Sequence, residues 1–325
     1  YSSARLTDQA PSRLFFDAKT TEQWRQMGFH SVTDNPGQGL ANESIMAYFL
    51  DAKRRNPVPE GRYHAEATDL TCAADSDEAR SFLGKHPGRG MPFGFPPVAD
   101  ADHDTLAIWL EQGAAGPSVT ERARLTMPSA AGAAEIAKWE AFLNRDDPKY
   151  AMTARYLYEH LFLAHIRFAD SGENVFYRLV RSTLPSGSPV DIIATRRPYD
   201  DPGVGRFWYR LSPIHSTIVH KDHIVYPLSQ AKLERLTQLF LASDWEPTRF
   251  PEYGAAASNP FVSFDQIPAR SRYQFLLDDA RYFVMTFIRG PVCRGQVAVD
   301  VIQDHFFVAF LDPDRDLSVT DPGYL

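Results

Sequence analysis

Cysteine is almost missing from this chain of 325 residues: there are two, Cys72 and Cys293, so no disulfide framework organises the fold, and a bridge between them would need geometry to support it. No apolar run approaches the roughly 18 residues of a membrane-spanning helix, so any contact with a bilayer is expected to be peripheral. No glycine-rich phosphate-binding loop ending in Gly-Lys-Ser/Thr occurs, which leaves coupling to nucleotide hydrolysis without support. The 34 lysines and arginines are scattered through a chain of net charge −7. Without a basic stripe, nucleic acid is not an expected partner. Nothing in the sequence calls for a protein partner.

What is present fits a two-domain protein with sizeable cores, at roughly 100–200 residues per domain. The first part reads as helices joined by long loops. Thr20 opens a helix with Trp24 and Met27 on one side, and Glu43 to Arg55 forms another that stops before Pro57. Loops rich in Pro, Gly and Asp run on to Pro97. An Ala-, Ser- and Pro-rich stretch from Gly116 to Ala131 reads as a linker, and Ala133 to Leu143 as the helix after it.

The second part mixes helices and strands. Met152 to Phe168 is expected to be one helix, with Tyr158, Leu161, Phe162 and His165 on a single face, where His165 would either line a pocket or be a satisfied core histidine. Period-two segments predict strands at Asn174 to Arg181, Asp191 to Ala194, Gly205 to Leu211 and Thr217 to His220. Helices return at Ser229 to Leu241 and Ser271 to Ile288. Residues 297 to 302 fit a strand or a helix equally, and His305 to Leu311 reads as a buried strand. The fold class is therefore α+β (mixed α/β), divided into a mainly helical module at 1–131 and a mixed helix/strand domain at 132–325.

Two charged knots carry the chemistry. Gly290 to Asp314, GPVCRGQVAVDVIQDHFFVAFLDPD, sets Cys293, Arg294, Asp300, Asp304 and His305 among valines and phenylalanines. Polar groups there need partners, so the stretch is either a buried ion-pair network or an active-site wall. In the second knot, RRPYDDPG, Pro198 and Pro202 stiffen a turn that carries Arg196, Arg197, Tyr199, Asp200 and Asp201. Its arginines either close a structural salt-bridge network or clamp an anionic head group.

The first knot closely resembles the signature of the bacterial fatty acid cis/trans isomerases, periplasmic enzymes that convert cis double bonds of phospholipid acyl chains to trans. PSRLFFDAKTTEQWRQMGF (Pro11 to Phe29), ARYLYEHLFLAHIRF (Ala154 to Phe168) and ATRRPYDDPGVGRFWYRL (Ala194 to Leu211) resemble the same family in the same order. The resemblance implies a stress-adaptation isomerase acting on unsaturated phospholipids, with Cys293, Arg294, Asp304 and His305 as catalytic candidates. Arg196, Arg197, Tyr199 and His165 would then bind the substrate.

It also implies haem c, although the attachment motif Cys-x-x-Cys-His is not in this sequence. The chain begins at Tyr1 without methionine and ends soon after the signature, so it reads as a fragment. The motif either lies upstream of Tyr1 or is missing from a divergent member. Cys72 would pair with a cysteine of the missing part or be a buried free thiol. Gly90 to Ala114 resembles the methionine loop and last helix of small c-type cytochromes. That makes Met91 the candidate axial ligand and the first module cytochrome c-like; the alternative is a loop methionine filling a gap against aromatics.

Rotation about a double bond requires its π component to be broken transiently. The implied route is reversible one-electron oxidation of the alkene by haem iron, without ATP. A second route would add a sulfur radical on Cys293 to the alkene. A noncatalytic periplasmic lipid-binding protein and an electron-transfer cytochrome stay open as other classes. A cysteine hydrolase using Cys293 and His305 is disfavoured, since neither residue sits in a nucleophile elbow or protease signature.

Overall fold

The structure is a computed structural model that describes residues 20–26, 32–33, 44–57, 73, 75–93, 95–173, 175–214, 225–289, 309–321 and 323–324. Its architecture is α+β, with one four-stranded mixed sheet among helices. The described residues form two compact units, one up to Pro117 together with Arg289, the other from Ser118 to Ile288 together with residues 309–324. No described helix is long and apolar enough to cross a membrane.

The described part of the N-terminal unit is helical: α1 (Thr21–Gln26), α2 (Ile45–Arg55), α3 (Ser76–Lys85) and α4 (Asp100–Glu111). Ser44 caps α2 by accepting from the Ala47 N–H at 3.0 Å, and Lys53, Arg54 and Arg55 in its last turn complement the helix dipole. Asp75 caps α3 in the same way. The rings of Phe49 and Phe82 join these two helices at 6.1 Å, and His103 of α4 reaches Asp51 of α2 at 3.0 Å. Gly90 packs so closely on α2 that a Cβ there would lie 2.2 Å from the Lys53 nitrogen, so no other residue fits without displacing backbone.

In the C-terminal unit α5 (Val119–Thr126) occupies the stretch expected to be linker. Ser118 and Glu121 form a capping box that makes a helix of an otherwise weakly patterned sequence. Then come α6 (Ala130–Leu143), capped by Ser129, and α7 (Pro148–Leu161), capped by Asp147 with Pro148 in its first turn. Residues Met152 to Tyr158 of α7 are all buried, so this helix is wrapped on every side. Aromatic rings from three later elements close on it: Phe240, Phe264 and Phe275 each lie 5.1–5.6 Å from the Tyr156 ring.

The helix expected to continue to Phe168 ends at Leu161. His165 instead begins β1 (His165–Phe168), in which Ile166 and Phe168 point inward and His165 and Arg167 are half-buried. That two-residue alternation, together with pairing on both sides, overrides the helical spacing. β2 (Tyr177–Ser182) and β3 (Trp208–Pro213) complete an antiparallel meander, and β4 (Val225–Leu228) adds parallel to β1, giving the order β3-β2-β1-β4. Asp191 to Ala194 contributes a single bridge, Ser182 to Ile192, rather than a strand.

α8 (Gln230–Leu236) runs into a π-helical turn at Thr237–Leu241. A short α9 (Pro260–Ser263) precedes α10 (Ala269–Asp278) and α11 (Ala280–Arg289), and α12 (Leu317–Thr320) comes last. The single helix expected over Ser271 to Ile288 is thus broken at Asp279. Its carboxylate accepts from the Tyr226 hydroxyl at 2.6 Å and from the Lys232 ammonium, which fixes the break. The strand expected at Thr217 to His220, the segment at 297 to 302 and residues 305 to 308 lie outside the described residues. Of the buried strand expected at His305 to Leu311, the described end, Ala309 to Leu311, forms no strand and is exposed, Phe310 and Leu311 having no described sheet or core to cover them.

Candidate functional site

The cleft of the C-terminal unit is assembled from three short segments, tied together by the half-buried Asn144 and the buried Arg155. The corner between α6 and α7 supplies Leu143 to Asp146. The start of β3 supplies Arg206 to Tyr209, and the loop before α9 supplies Phe250, Pro251 and Tyr253; Ala151 and Arg155 of α7 form the floor. The volume is about 370 Å³, and the cleft is open to one side.

Asn144 fixes the first wall to the second. Its side-chain carbonyl accepts the Tyr209 N–H at 2.7 Å and its amide donates to the Tyr209 carbonyl at 2.8 Å. Those are the two bonds a further strand would make, supplied by one side chain. Arg155 fixes the third wall: it donates to the Glu252 carbonyl at 2.7 Å and to the Pro251 carbonyl, and its guanidinium lies 4.1 Å from the Tyr253 ring centre. Its Nε donates to Glu159 at 2.9 Å. Burial pushes the Glu159 carboxyl up, and the Arg155 hydrogen bond opposes that shift.

Beneath this layer lies Arg181 of β2. It sits directly across from Tyr209 in the ladder, which puts both side chains on one face of the sheet. It is fully buried, with the rings of Tyr158, Phe207 and Tyr253 within 5.2–5.8 Å of its guanidinium carbon. Its Nη2 donates to the Thr195 hydroxyl and to the Asp200 carbonyl, both at 2.9 Å. The Tyr209 hydroxyl is raised well above its ordinary value, first by burial and then by the neighbouring Tyr253 and Tyr158, so it stays a neutral phenol. Within this lining there is no histidine and no cysteine. Its groups can bind and orient a ligand.

The expected site residues fall in four places. Arg196, Arg197 and Tyr199 sit in a turn that Arg181 anchors from below and that the Asp200 carboxylate closes by accepting the Arg197 N–H at 2.9 Å. The Tyr199 carbonyl accepts the Gly254 N–H at 2.8 Å, so this turn braces the third wall without lining the cleft. Arg196 and Arg197 are exposed. His165 belongs to β1 and is not part of the cleft. Cys293, Arg294, Asp300, Asp304 and His305 lie outside the described residues, as does Cys72.

Met91 belongs to the N-terminal unit. Its N–H donates to the Phe49 carbonyl at 2.9 Å, and its side chain is 48 % exposed. Its thioether is the group that this loop would contribute to holding a haem iron. A covalently attached haem also needs a Cys-x-x-Cys-His segment, which this sequence does not contain. Among the described residues no cluster of His, Cys, Asp or Glu is arranged to hold a metal ion.

Sequence reasoning missed Arg145, Arg155, Arg206, Trp208 and Phe250 as a group. The signal was there in part: Arg155 lies within ARYLYEHLFLAHIRF and Arg206 to Tyr209 within ATRRPYDDPGVGRFWYRL, and these two segments meet in the cleft.

A family model described as fatty acid cis/trans isomerase matches residues 9–325. No curated protein and no solved structure matches the chain.

Proposed function

The chain belongs to the fatty acid cis/trans isomerase family and is an isomerase of unsaturated fatty acyl chains; from that premise we propose that its substrates are acyl chains of membrane phospholipids, reached by peripheral contact from the periplasm. The observation that carries this reading is the convergence of two family-like segments on one aromatic-lined cleft. Phe207, Trp208, Phe250 and Tyr253 offer an acyl chain apolar surface, and the Asn144 and Arg155 anchors keep those walls in place during binding. Fixed walls hold one end of the chain, which limits where its double bond can lie.

The cofactor in this proposal is haem c, which Met91 would help to hold. When bound, such a group supplies one-electron redox chemistry. The RRPYDDPG turn, with Arg196 and Arg197 exposed, offers a secondary contact for phosphate; Arg294, Asp304 and His305 remain the proposed catalytic set, which Cys293 joins only under the sulfur-radical route. His165, now placed in β1, is the weakest of the proposed substrate contacts.

Incubating the full-length protein with phospholipid that carries one cis double bond per chain, then resolving the cis and trans fatty acids by gas chromatography, tests the activity. Time-dependent trans product is expected. A full-length protein that contains haem and forms none defeats the proposal. A pyridine haemochrome spectrum of the same preparation tests the cofactor separately.

A further inference from the structure

The cleft is positively charged in an acidic protein. Three arginines face one aspartate in its lining, whereas the whole chain carries −7. Arg155 is committed to Glu159 and to two carbonyls. Arg145 and Arg206 are not committed in that way. Both are exposed at the mouth, and each is held by an aromatic ring: Arg145 lies 4.4 Å from the Tyr150 ring centre and donates to its hydroxyl at 2.8 Å, and Arg206 lies 5.0 Å from the Trp208 ring centre.

Among the described residues neither meets a carboxylate within ion-pair distance, and Asp146, the one acidic group in the lining, pairs with neither. In the same unit Arg210, Arg235, Arg249 and Arg270 each pair with a carboxylate. Ring stacking limits the freedom of Arg145 and Arg206 and leaves guanidinium N–H groups available, the state in which arginine recognises planar oxyanions.

We propose that this cleft receives the anionic end of an amphiphile, a carboxylate or phosphodiester joined to an apolar chain, with Arg145 and Arg206 as its ligands and Phe207, Trp208 and Phe250 along the start of the chain. The apolar nature of the tail rests on the reading of the protein as an acyl-chain isomerase; the anionic head rests on the two arginines alone. A volume of about 370 Å³ is at the small end of the roughly 300–1,000 Å³ usual for ligand sites. The site therefore holds the head and the first part of one chain.

Calorimetric titration of the full-length protein tests this with three single-chain probes that share one cis-octadecenoyl tail: the free carboxylate, a lysophosphatidylglycerol, and the uncharged methyl ester. Arg145→Ala and Arg206→Ala are each expected to weaken the anionic probe about tenfold and to leave the methyl ester within about twofold. The anion that binds tighter to the unaltered protein names the source, free fatty acid or phospholipid. Unchanged anion affinity in the double variant overturns the proposal, and so does an equal loss for the methyl ester. Arginine-dependent binding without any trans product would sink the proposed function and leave this site standing; trans product at unaltered rate and affinity in the double variant would do the reverse.

Discussion

Glu140 of α6 and Arg210 of β3 form a 2.9 Å ion pair with both side chains almost entirely out of solvent. The carboxylate also accepts from the Leu211 N–H at 2.9 Å and the Ser186 hydroxyl at 2.5 Å. Arg210 further donates to the carbonyls of Leu184, Pro185 and Ser188. The pair thus binds a helix, a strand and a loop directly behind the cleft wall.

Removing one partner strands the other as a buried charge. Glu140→Ala is expected to lower the unfolding free energy by about 3–5 kcal/mol, measured by urea denaturation. A double replacement by apolar residues of similar volume should recover most of that loss. A single variant that costs less than about 1 kcal/mol would mean the pair behaves as though solvent-exposed.

Arg155→Lys keeps the charge but cannot serve Glu159, Pro251 and Glu252 together, because one ammonium on a flexible stem replaces a rigid fork. Leaving a buried acceptor unserved costs about 1–3 kcal/mol. The Phe250 to Tyr253 wall should loosen, with KM for the acyl substrate rising more than kcat falls. Steady-state kinetics check this, and equal falls in kcat and kcat/KM with KM unchanged would contradict it.

His160 gives the fold an acid limb. Burial lowers its pKa below the ordinary 6.5, assisted by Arg272 and opposed by the bond from its Nδ1 to the Tyr156 carbonyl at 2.8 Å. The rings of Tyr156, Phe275 and Phe283 enclose it. The folded state therefore binds fewer protons than the unfolded one just below pH 6.5, and stability is lost as pH falls from there towards the depressed folded value. His160→Gln keeps a donor for the carbonyl and removes the titration. Its denaturation midpoint should vary less with pH in that range, and an unchanged slope would assign the acid limb to another group.

Cys293→Ser separates the two chemical routes considered for the double bond. If no sulfur radical takes part, the full-length variant should retain isomerisation of the order of the parent rate, with any loss traceable to a lower melting temperature. Abolished activity in a stable, haem-containing variant would establish the sulfur route instead.

The parts of this fold that could be read from sequence were those with local causes. Ser44 and Ser229 cap helices where the sequence placed them, by the chemistry of a short side chain, whereas Asp75 caps α3 inside a stretch expected to be loop and Asp147 starts α7 one turn before the expected Met152. The failures had distant causes. HIRF is a strand because β2 and β4 flank it, and neither contact leaves a mark on the spacing of Tyr158, Leu161 and His165. The same holds for the cleft: Asn144 becomes informative only once Tyr209, far along the chain, lies beside it. A buried arginine in the middle of an apolar helix, such as Arg155, was the strongest overlooked sign, since such a charge must be held by something.

The interruption at Asp279 has a wider reach. An unbroken rod from Ala269 onward would have carried the chain in one straight line; instead Tyr226 and Lys232 grip a single carboxylate, and α11 starts on a fresh heading. That one carboxylate therefore works as a hinge pin for α11: its substitution should let α10 and α11 straighten towards a single rod.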